Sequence, residues 1–378
     1  MANASEQRFI DPYQQLAQPL SFGDRLQHLY RVLREQYSGI DRLSLALYQP
    51  DSDQLSTFTC AGDDASPLTG YSVLLDAVPS LKVLADNPLV RVVGDMREFR
   101  SDELSTHTAA LLGQGYRSSL TMPLTVEGHF LGMLFLNART IDYFSAPMAA
   151  YCTLWGHLVG QTLAQEQETL RRLHALARWA LDVSGVRCIE SDDHMQRMAA
   201  YTRLIARQLQ SSQPLSDSWI EYLTLFAPLH DIGKISVPDR ILHKPGSLTA
   251  EEFDEMKRHV SGGKTLLEKA IRRFDLGRIE HIDMLMNIIQ YHHEKLDGSG
   301  YLGLNGTHEI PLEARIVAVA DILDALLNAR CYKQAWEEDA VWQELKRLSG
   351  RQLDPDCVAA VLDNKAAIQD IQQRWPAR

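Results

Sequence analysis

Residues 314–326 read ARIVAVADILDAL, a run whose apolar side chains would cover almost the whole circumference of a helix. A helix that is apolar nearly all round lies at the centre of a domain rather than on its surface. Asp321 stands within this run, and a buried ionised carboxylate is costly unless it is paired or bound to a cation. The stretch therefore predicts a central helix with a cation beside it.

The chain around this helix is predicted to be all-α. From about residue 186 onward it is a succession of amphipathic patterns with little strand signal. Thr249 followed by Glu252 predicts a capping box for a helix holding Phe253, Met256 and Val260. Further apolar faces are formed by Met195, Met198, Ala199, Ile205 and Leu209, by Trp219, Tyr222, Leu223 and Phe226, and by Ile282, Leu285, Met286 and Ile289.

Histidines recur at the positions of these helices that face the core. A lone histidine on an apolar face is usually a hydrogen-bonded core residue, but a recurrence on several helices favours a metal site. Imidazole and carboxylate ligands without thiolate suit divalent transition metals, with Fe or Mn favoured by the carboxylates. The residues concerned are His194, His230 joined to Asp231, His259, His292, His293 and Asp321, with Glu190 one helical turn before His194.

Four segments in this order resemble the HD-GYP family, a subgroup of the HD superfamily of metal-dependent phosphohydrolases. They are HDIGKISVPDRILHKPGSLT (230–249), HHEKLDGSGY (292–301), IPLEARIVAVADILDAL (310–326) and RCYK (330–333). The resemblance covers about residues 187–333. It implies a phosphodiesterase that hydrolyses cyclic di-GMP to linear pGpG, with further cleavage to GMP left open.

The resemblance also implies roles for individual residues. Two or three metal ions would be held by Glu190, His194, His230, Asp231, His259, His292, His293 and Asp321. A water between adjacent metals would lose a proton and attack the phosphorus. Asp231 and Lys234 would be catalytic, and Lys234, Tyr301, Arg330 and Lys333 would contact the substrate.

The glycine-rich segment DGSGYLGLNG (297–306) departs from the family pattern. Leu302 follows Tyr301 where proline is usual. The predicted metal ligands are untouched, so the departure concerns loop rigidity, and with it partner docking or substrate preference.

The N-terminal region is predicted to be α+β. Leu43–Leu47 is a candidate strand, and two apolar runs, Ser118–Val126 and Phe130–Leu136, flank Glu127-Gly128 as in a hairpin. A helix is expected to open at Phe144-Ser145. The segment RSSLTMPLTVEGHFLGMLFLNARTIDYFSA (117–146) resembles the second half of a GAF domain, an antiparallel sheet flanked by helices that often binds a small ligand.

These observations divide the chain into an N-terminal extension (1–19), a GAF-like sensory domain (20–160), a linker helix (161–185) and an HD-GYP domain (186–378). Within the linker, Leu163, Leu170 and Ala177 are seven residues apart, Leu173 and Ala180 interleave, and Glu166 occupies one core position. Two interpretations stay open. The helix either forms a parallel coiled coil that joins two protomers, or connects the domains while packing on its own chain.

Composition restricts the partners. Lys and Arg number 38 against 49 for Asp and Glu, and the formal net charge of −11 repels nucleic-acid polymers and anionic membranes. The cysteines are odd in number and lack CxxC spacing, which favours reduced thiols over structural zinc. No apolar run approaches the length of a membrane span, so we expect a cytoplasmic protein without membrane insertion.

Two other functions stay open. A catalytically silent module would bind the dinucleotide and signal through protein contacts. A phosphodiesterase for another cyclic dinucleotide, such as cyclic GMP-AMP, would carry the same motifs, because base contacts are not readable from them.

Overall fold

The structure is a computed structural model that describes residues 10–62, 68–87, 89–99, 105–183, 191–328 and 335–376. The chain divides into two compact units, Met1–Glu168 and Thr169–Arg378. The domain boundaries drawn from the sequence stay predictions.

The first unit is built on one antiparallel sheet. The strands are β1 (Arg42–Gln49), β2 (Gln54–Gly62), β3 (Ser72–Leu74), β4 (Arg91–Val93), β5 (Ser118–Val126) and β6 (His129–Ala138), in the order β3-β2-β1-β6-β5-β4. The helices are α1 (Phe22–Gln36), α2 (Pro79–Asp86), α3 (Thr106–Gly113) and α4 (Ala146–Val183). The predicted α+β class is confirmed.

The predicted hairpin joins β5 to β6. Glu127 and Gly128 have φ of 51° and 81°, so both turn residues are left-handed, as a two-residue hairpin turn requires. Farther along β6, a Cβ on Gly132 would lie 2.0 Å from the carbonyl oxygen of Ala46 on β1. Glycine is therefore needed at this position, because a side chain would collide with the backbone of β1.

The two faces of the sheet differ in character. Residues alternate between the faces, and the apolar set Leu43, Leu45, Leu120, Leu134 and Leu136 is fully buried. This face packs on α4, since a Cβ on Gly156 would meet Met122 and Leu134. Helix α4 is in turn joined to α1, because Trp155 Nε1 donates to Leu29 O at 3.2 Å. The opposite face carries buried polar residues.

Helix α4 is a single helix from Ala146 to Val183, so the helix expected at Phe144-Ser145 and the linker helix are parts of one element. Leu163, Leu170 and Leu173 are buried within the single chain. That burial favours the interpretation in which the helix packs on its own chain. The side chain of Ala180 lies outside the described residues.

The second unit is helical throughout its described residues, apart from isolated bridges. Its described α-helices are α5 (Asp192–Leu209), α6 (Asp217–Phe226), α7 (Asp239–Leu242), α8 (Ala250–Lys257), α9 (His259–Phe274), α10 (Ile282–Tyr291), α11 (Leu312–Leu327), α12 (Glu338–Leu348), α13 (Pro355–Leu362) and α14 (Lys365–Arg374). Helix α11 buries Ile316, Val317, Val319 and Ala320 completely, which confirms the predicted central helix. Among the helices of the described ranges, none combines the length and apolar character that crossing a bilayer requires.

The capping box of Thr249 and Glu252 is present, but one predicted helix is two. Helix α8 ends at Lys257 and α9 begins at His259. Phe253 is 43% exposed while Val260 is 2% exposed, so the two do not share a buried face. The break at Arg258 turns the chain so that His259 and Val260 enter the core.

A glycine contact positions the chain that follows His230. The 3₁₀ turn Ile232–Ser236 lies directly on α9, because a Cβ on Gly233 would come 1.9 Å from His259 O and 2.6 Å from Gly263 N. Any larger residue at Gly233 would push the turn away from the helix. This close packing places Asp231 next to His259.

Candidate metal centre

The structure gathers the predicted ligands into two groups. One comprises Asp231, His259, His292 and His293, and the other comprises His194, His230 and Asp321. Within each group the candidate ligand atoms lie within 4.8 Å of one another. Residues from five separate elements therefore converge although they are far apart in sequence.

Asp231 lies between the two groups. Its Oδ2 is 3.2 Å from Nε2 of His230, and its Oδ1 is 3.3 Å from Nε2 of His259 and 3.6 Å from Nε2 of His292. The rings of His230 and His292 are 5.0 Å apart. One carboxylate thus faces ligands of both groups.

Backbone carbonyls orient three of the imidazoles. Nδ1 of His230 donates to Ala227 O at 2.9 Å, Nδ1 of His259 to Met256 O at 2.8 Å, and Nδ1 of His292 to Ile288 O at 2.9 Å. A carbonyl can only accept, so in the neutral imidazole the proton sits on Nδ1 and the lone pair on Nε2. Nε2 is the atom that each ring presents to Asp231.

Asp324 holds the fourth imidazole, and sequence reasoning missed it. Nδ1 of His194 donates to Asp324 Oδ2 at 2.7 Å, and Nε of Arg197 donates to Oδ1 at 2.6 Å. Burial raises the pKa of Asp324, but these two donors outweigh it and keep the pKa below its usual value. The signal available was a second aspartate, three residues after Asp321, in the same apolar run.

The expected burial of Asp321 is corrected. Asp321 is half-buried, whereas Asp324 is 3% exposed and is the deeply buried carboxylate of α11. Asp321 lies with His194 and His230 in one ligand group, whereas Asp324 accepts a hydrogen bond from Nδ1 of His194. Residues three apart on a helix differ by only about 60° around its axis, so both carboxylates lie on the side of α11 that faces His194.

The cluster fits a cation. Asp231 Oδ1, His259 Nε2 and His292 Nε2 are buried and have no hydrogen-bond partner among the described residues. Buried polar atoms are nearly always satisfied, and three converging acceptors without a donor match a metal ion. The donor set of imidazole and carboxylate, without thiolate, suits divalent transition metals.

The protonation states of His259 and Asp231 are those that a metal ligand requires. Burial lowers the pKa of His259 to about 4, so its ring is neutral near pH 7. Burial works against ionisation of Asp231, but Lys234 and His230 outweigh it and hold its pKa well below the usual value. A neutral imidazole and an ionised carboxylate are the forms that bind metal.

Two predicted substrate residues border the cluster. Nζ of Lys234 is 2.6 Å from Asp231 Oδ2. The ring of Tyr301 lies 4.4 Å from that of His293. Burial, followed by the charge of Asp231, raises the pKa of Tyr301 to about 12, so its phenol stays protonated and can donate a hydrogen bond.

The loop that carries Tyr301 is anchored by Glu294, which sequence reasoning also missed. Glu294 is 4% exposed and accepts hydrogen bonds from the amides of Leu302 at 2.7 Å and Leu304 at 2.9 Å. Proline has no amide hydrogen, so the leucine at 302 supplies a donor that the usual residue lacks. The available signal was a glutamate directly after the paired histidines.

Three predicted site residues lie outside the described residues. Glu190, Arg330 and Lys333 fall in the segments 184–190 and 329–334. Their roles stay predictions.

Comparison with known proteins finds an HD domain over residues 187–357. The chain is 43% identical over 213 residues to the cyclic di-GMP phosphodiesterase response regulator RpfG of Xanthomonas campestris, covering 55% of this chain and 50% of that protein. It is 37% identical over 175 residues to the 3'3'-cGAMP-specific phosphodiesterase 2 of Vibrio cholerae, covering 46% and 31% respectively. The chain therefore spans half or less of the length of these relatives.

Among solved structures, a GAF domain/HD domain protein from Geobacter sulfurreducens is similar at 18% identity. The match covers 39% of this chain and 95% of that chain, with a TM-score of 0.33.

Proposed function

Because residues 187–357 form an HD domain of the HD-GYP type, we propose that the chain is a metal-dependent phosphodiesterase that opens cyclic di-GMP. The observation that carries this proposal is the pair of adjacent ligand groups facing one shared carboxylate, Asp231. Buried acceptors without donors accompany them.

The two groups suggest two ion positions. Asp231, His259, His292 and His293 would hold one ion, and His194, His230 and Asp321, with Asp231 between, would hold the other. We propose Fe or Mn as the metals. A third ion would depend on Glu190, one turn before His194.

Divalent ions, when bound, acidify water near neutral pH and neutralise charge on a phosphoryl group. The protein's own residues position the reactants. Lys234, held 2.6 Å from Asp231, would offer its ammonium to the scissile phosphate, and the phenol of Tyr301 would donate to a substrate oxygen beside His293. Arg330 and Lys333 would bind the other phosphate, as in the family.

The relatives support a cyclic dinucleotide as the substrate class. One is named for cyclic di-GMP and another for 3'3'-cGAMP, so cyclic GMP-AMP is the second candidate. Retention of all the described ligands argues against a silent binding module, because loss of ligands is the simplest way to lose turnover.

Turnover and product analysis tests the proposal. The full chain, purified anaerobically and analysed for metal, is incubated with cyclic di-GMP and separately with 3'3'-cGAMP, and the products are resolved by ion-exchange chromatography. We expect pGpG from the first substrate, loss of turnover on chelation, and more than a hundredfold loss in Asp231→Ala. Asp254→Ala, which removes an exposed carboxylate of α8, is the control and should match the wild type.

Either of two results would defeat the proposal. If Asp231→Ala binds metal and keeps near-normal turnover, Asp231 is not the shared ligand that the proposed mechanism requires. Tight binding of cyclic di-GMP by metal-loaded wild type without any product would establish a silent module.

We further propose that the N-terminal unit regulates the HD domain and that the chain is a homodimer. Helix α4 runs without interruption through the boundary between the units at Glu168 and Thr169. A coiled-coil contact between two chains would have little exposed surface at the predicted core positions, because Leu163, Leu170 and Leu173 are already buried within one chain. Among the described residues of α4, the large exposed apolar side chains are Leu154, Leu158, Leu176 and Trp179, and a two-fold contact would use some of these.

A further inference from the structure

One face of the N-terminal sheet has a strip of buried polar side chains. Arg42 on β1 pairs in register with Asn137 on β6, which pairs with Ser119 on β5. Two residues along, Ser44 and Thr121 flank Phe135 on the same face. The exposed fractions are 2% for Arg42, 3% for Ser44, 8% for Ser119, 1% for Thr121 and 0% for Asn137.

Apolar clusters lie on both sides of this strip. One contains Leu75, Leu81 and Leu84 with Phe135 packed against it, and the other contains Met96, Leu111 and Tyr116 with Val93 packed against it. Phe135 and Val93 share the face of the strip. The polar residues therefore lie in the interior of the unit, where an apolar core would ordinarily be expected.

Two donors, one in this strip and one beside it on β4, lack acceptors among the described residues. Asn137 Oδ1 accepts from Arg42 Nη1 at 2.8 Å, but Asn137 Nδ2 is buried with no hydrogen-bond partner among the described residues. Arg91 Nε, on β4, is buried and equally unsatisfied. The other contacts of Arg91 are long, at 3.4 Å to Ser80 O and 3.5 Å to Thr121 Oγ1.

A further basic side chain lies near these donors. His107 on α3 contacts Ser105 Oγ at 2.9 Å, and its ring is 6.1 Å from that of Tyr71. Burial, followed by the nearby charges of Arg91 and Arg42, lowers the pKa of His107 to about 4. The histidine is therefore in the field of both guanidinium groups and stays neutral at pH 7.

We infer that this strip is a binding site for a small organic anion, whose oxygens accept hydrogen bonds from Arg91 Nε and Asn137 Nδ2. An unpaired buried donor costs free energy that an anionic acceptor would recover, and a buried guanidinium gains most from such a partner. The two donors belong to β4 and β6, which lie on either side of β5 in the sheet. The inference does not depend on the proposed catalytic activity.

Calorimetric titration of the full chain tests this site. Succinate represents carboxylates, inorganic phosphate represents phosphates, and chloride at matched ionic strength is the blank. Asn137→Asp keeps the size of the side chain, gives Arg42 a charged partner and replaces the unpaired donor by an acceptor. Arg91→Gln removes the second donor and its charge.

We expect at least one of the two anions to bind the wild type and both variants to lose tenfold or more in affinity. Arg97→Gln is the control, since Arg97 pairs with Asp95 and its side chain is 55% exposed. The anion that binds identifies which chemistry the site takes. Unchanged affinity in both variants, or no binding of either anion together with no co-purifying acid in native mass spectra, would overturn the inference.

A second measurement covers variants that fail to fold. In wild-type protein labelled with ¹⁵N-arginine, the Arg91 Nε–H resonance, assigned through Arg91→Lys, should shift when the anion is added, while that of Arg97 should not. A resonance of Arg91 that stays in place would equally overturn the inference.

Discussion

At the scale of single residues, we expect Asp324 to influence metal binding through its hydrogen bond to His194. Its carboxylate accepts from His194 Nδ1, which fixes the ring and makes Nε2 a better ligand. We expect Asp324→Asn to weaken metal binding by roughly 10- to 100-fold, the usual range for such partners. Turnover measured against Mn²⁺ concentration should recover at high metal.

The control for this substitution is Asp370→Asn, which changes an exposed carboxylate of α14. It should leave the Mn²⁺ dependence where it is in the wild type. If Asp324→Asn shows the same half-saturating Mn²⁺ concentration as this control, Asp324 has a structural role without influence on the metal.

At the scale of elements, the loop 297–306 depends on the backbone amide of Leu302. That amide donates to the buried carboxylate of Glu294, and a hydrogen bond to a charged group contributes about 1.5–3 kcal/mol. Leu302→Pro removes the donor, whereas Leu302→Ala keeps it and trims a side chain that is 46% exposed. We expect only the proline variant to lose kcat/KM, by roughly tenfold or more from that energy.

Hydrogen exchange of the loop amides separates this cause from a change in side-chain packing. Protection at Leu304 and its neighbours should fall in Leu302→Pro and persist in Leu302→Ala. Equal exchange and equal kcat/KM in the two variants would mean that Leu304 alone holds the loop on Glu294.

At the scale of the whole molecule, α4 is the element through which we propose that the N-terminal unit acts on the HD domain. Two residues inserted after Ala175 would turn the following chain by about 200° relative to the preceding chain, at 3.6 residues per turn. We expect the insertion to change basal phosphodiesterase activity by several-fold. An unaltered rate would make the helix a tether.

A seven-residue insertion at the same place is the matched control. It lengthens the helix but restores its phase to within about 20°. Its activity should lie closer to the wild type than that of the two-residue insertion. Sedimentation velocity of the wild type and both variants tests the homodimer directly, and a monomeric wild type at micromolar concentration would reject it.

The sequence by itself determined the features that depend on near neighbours. Three such features are present in the structure. They are the hairpin turn at Glu127-Gly128, where both residues have left-handed backbone angles, the capping box of Thr249 and Glu252, and the central helix formed by the apolar run around Asp321. Each is a local conformational preference or a periodicity within one element. The recurring histidines were recognisable for the same reason, since each lies on the core side of its own helix or at its end.

The tertiary structure decided what depends on distant residues meeting. His194 and Asp324 are separated by 130 positions, and the division of the ligands into two groups around Asp231 requires several helices to be packed together. The bonds from Leu302 to Glu294, the break between α8 and α9 and the polar strip beside Asn137 likewise arise from packing. A periodicity fixes which side of a helix or strand is buried, but not which side chain of another element it meets there.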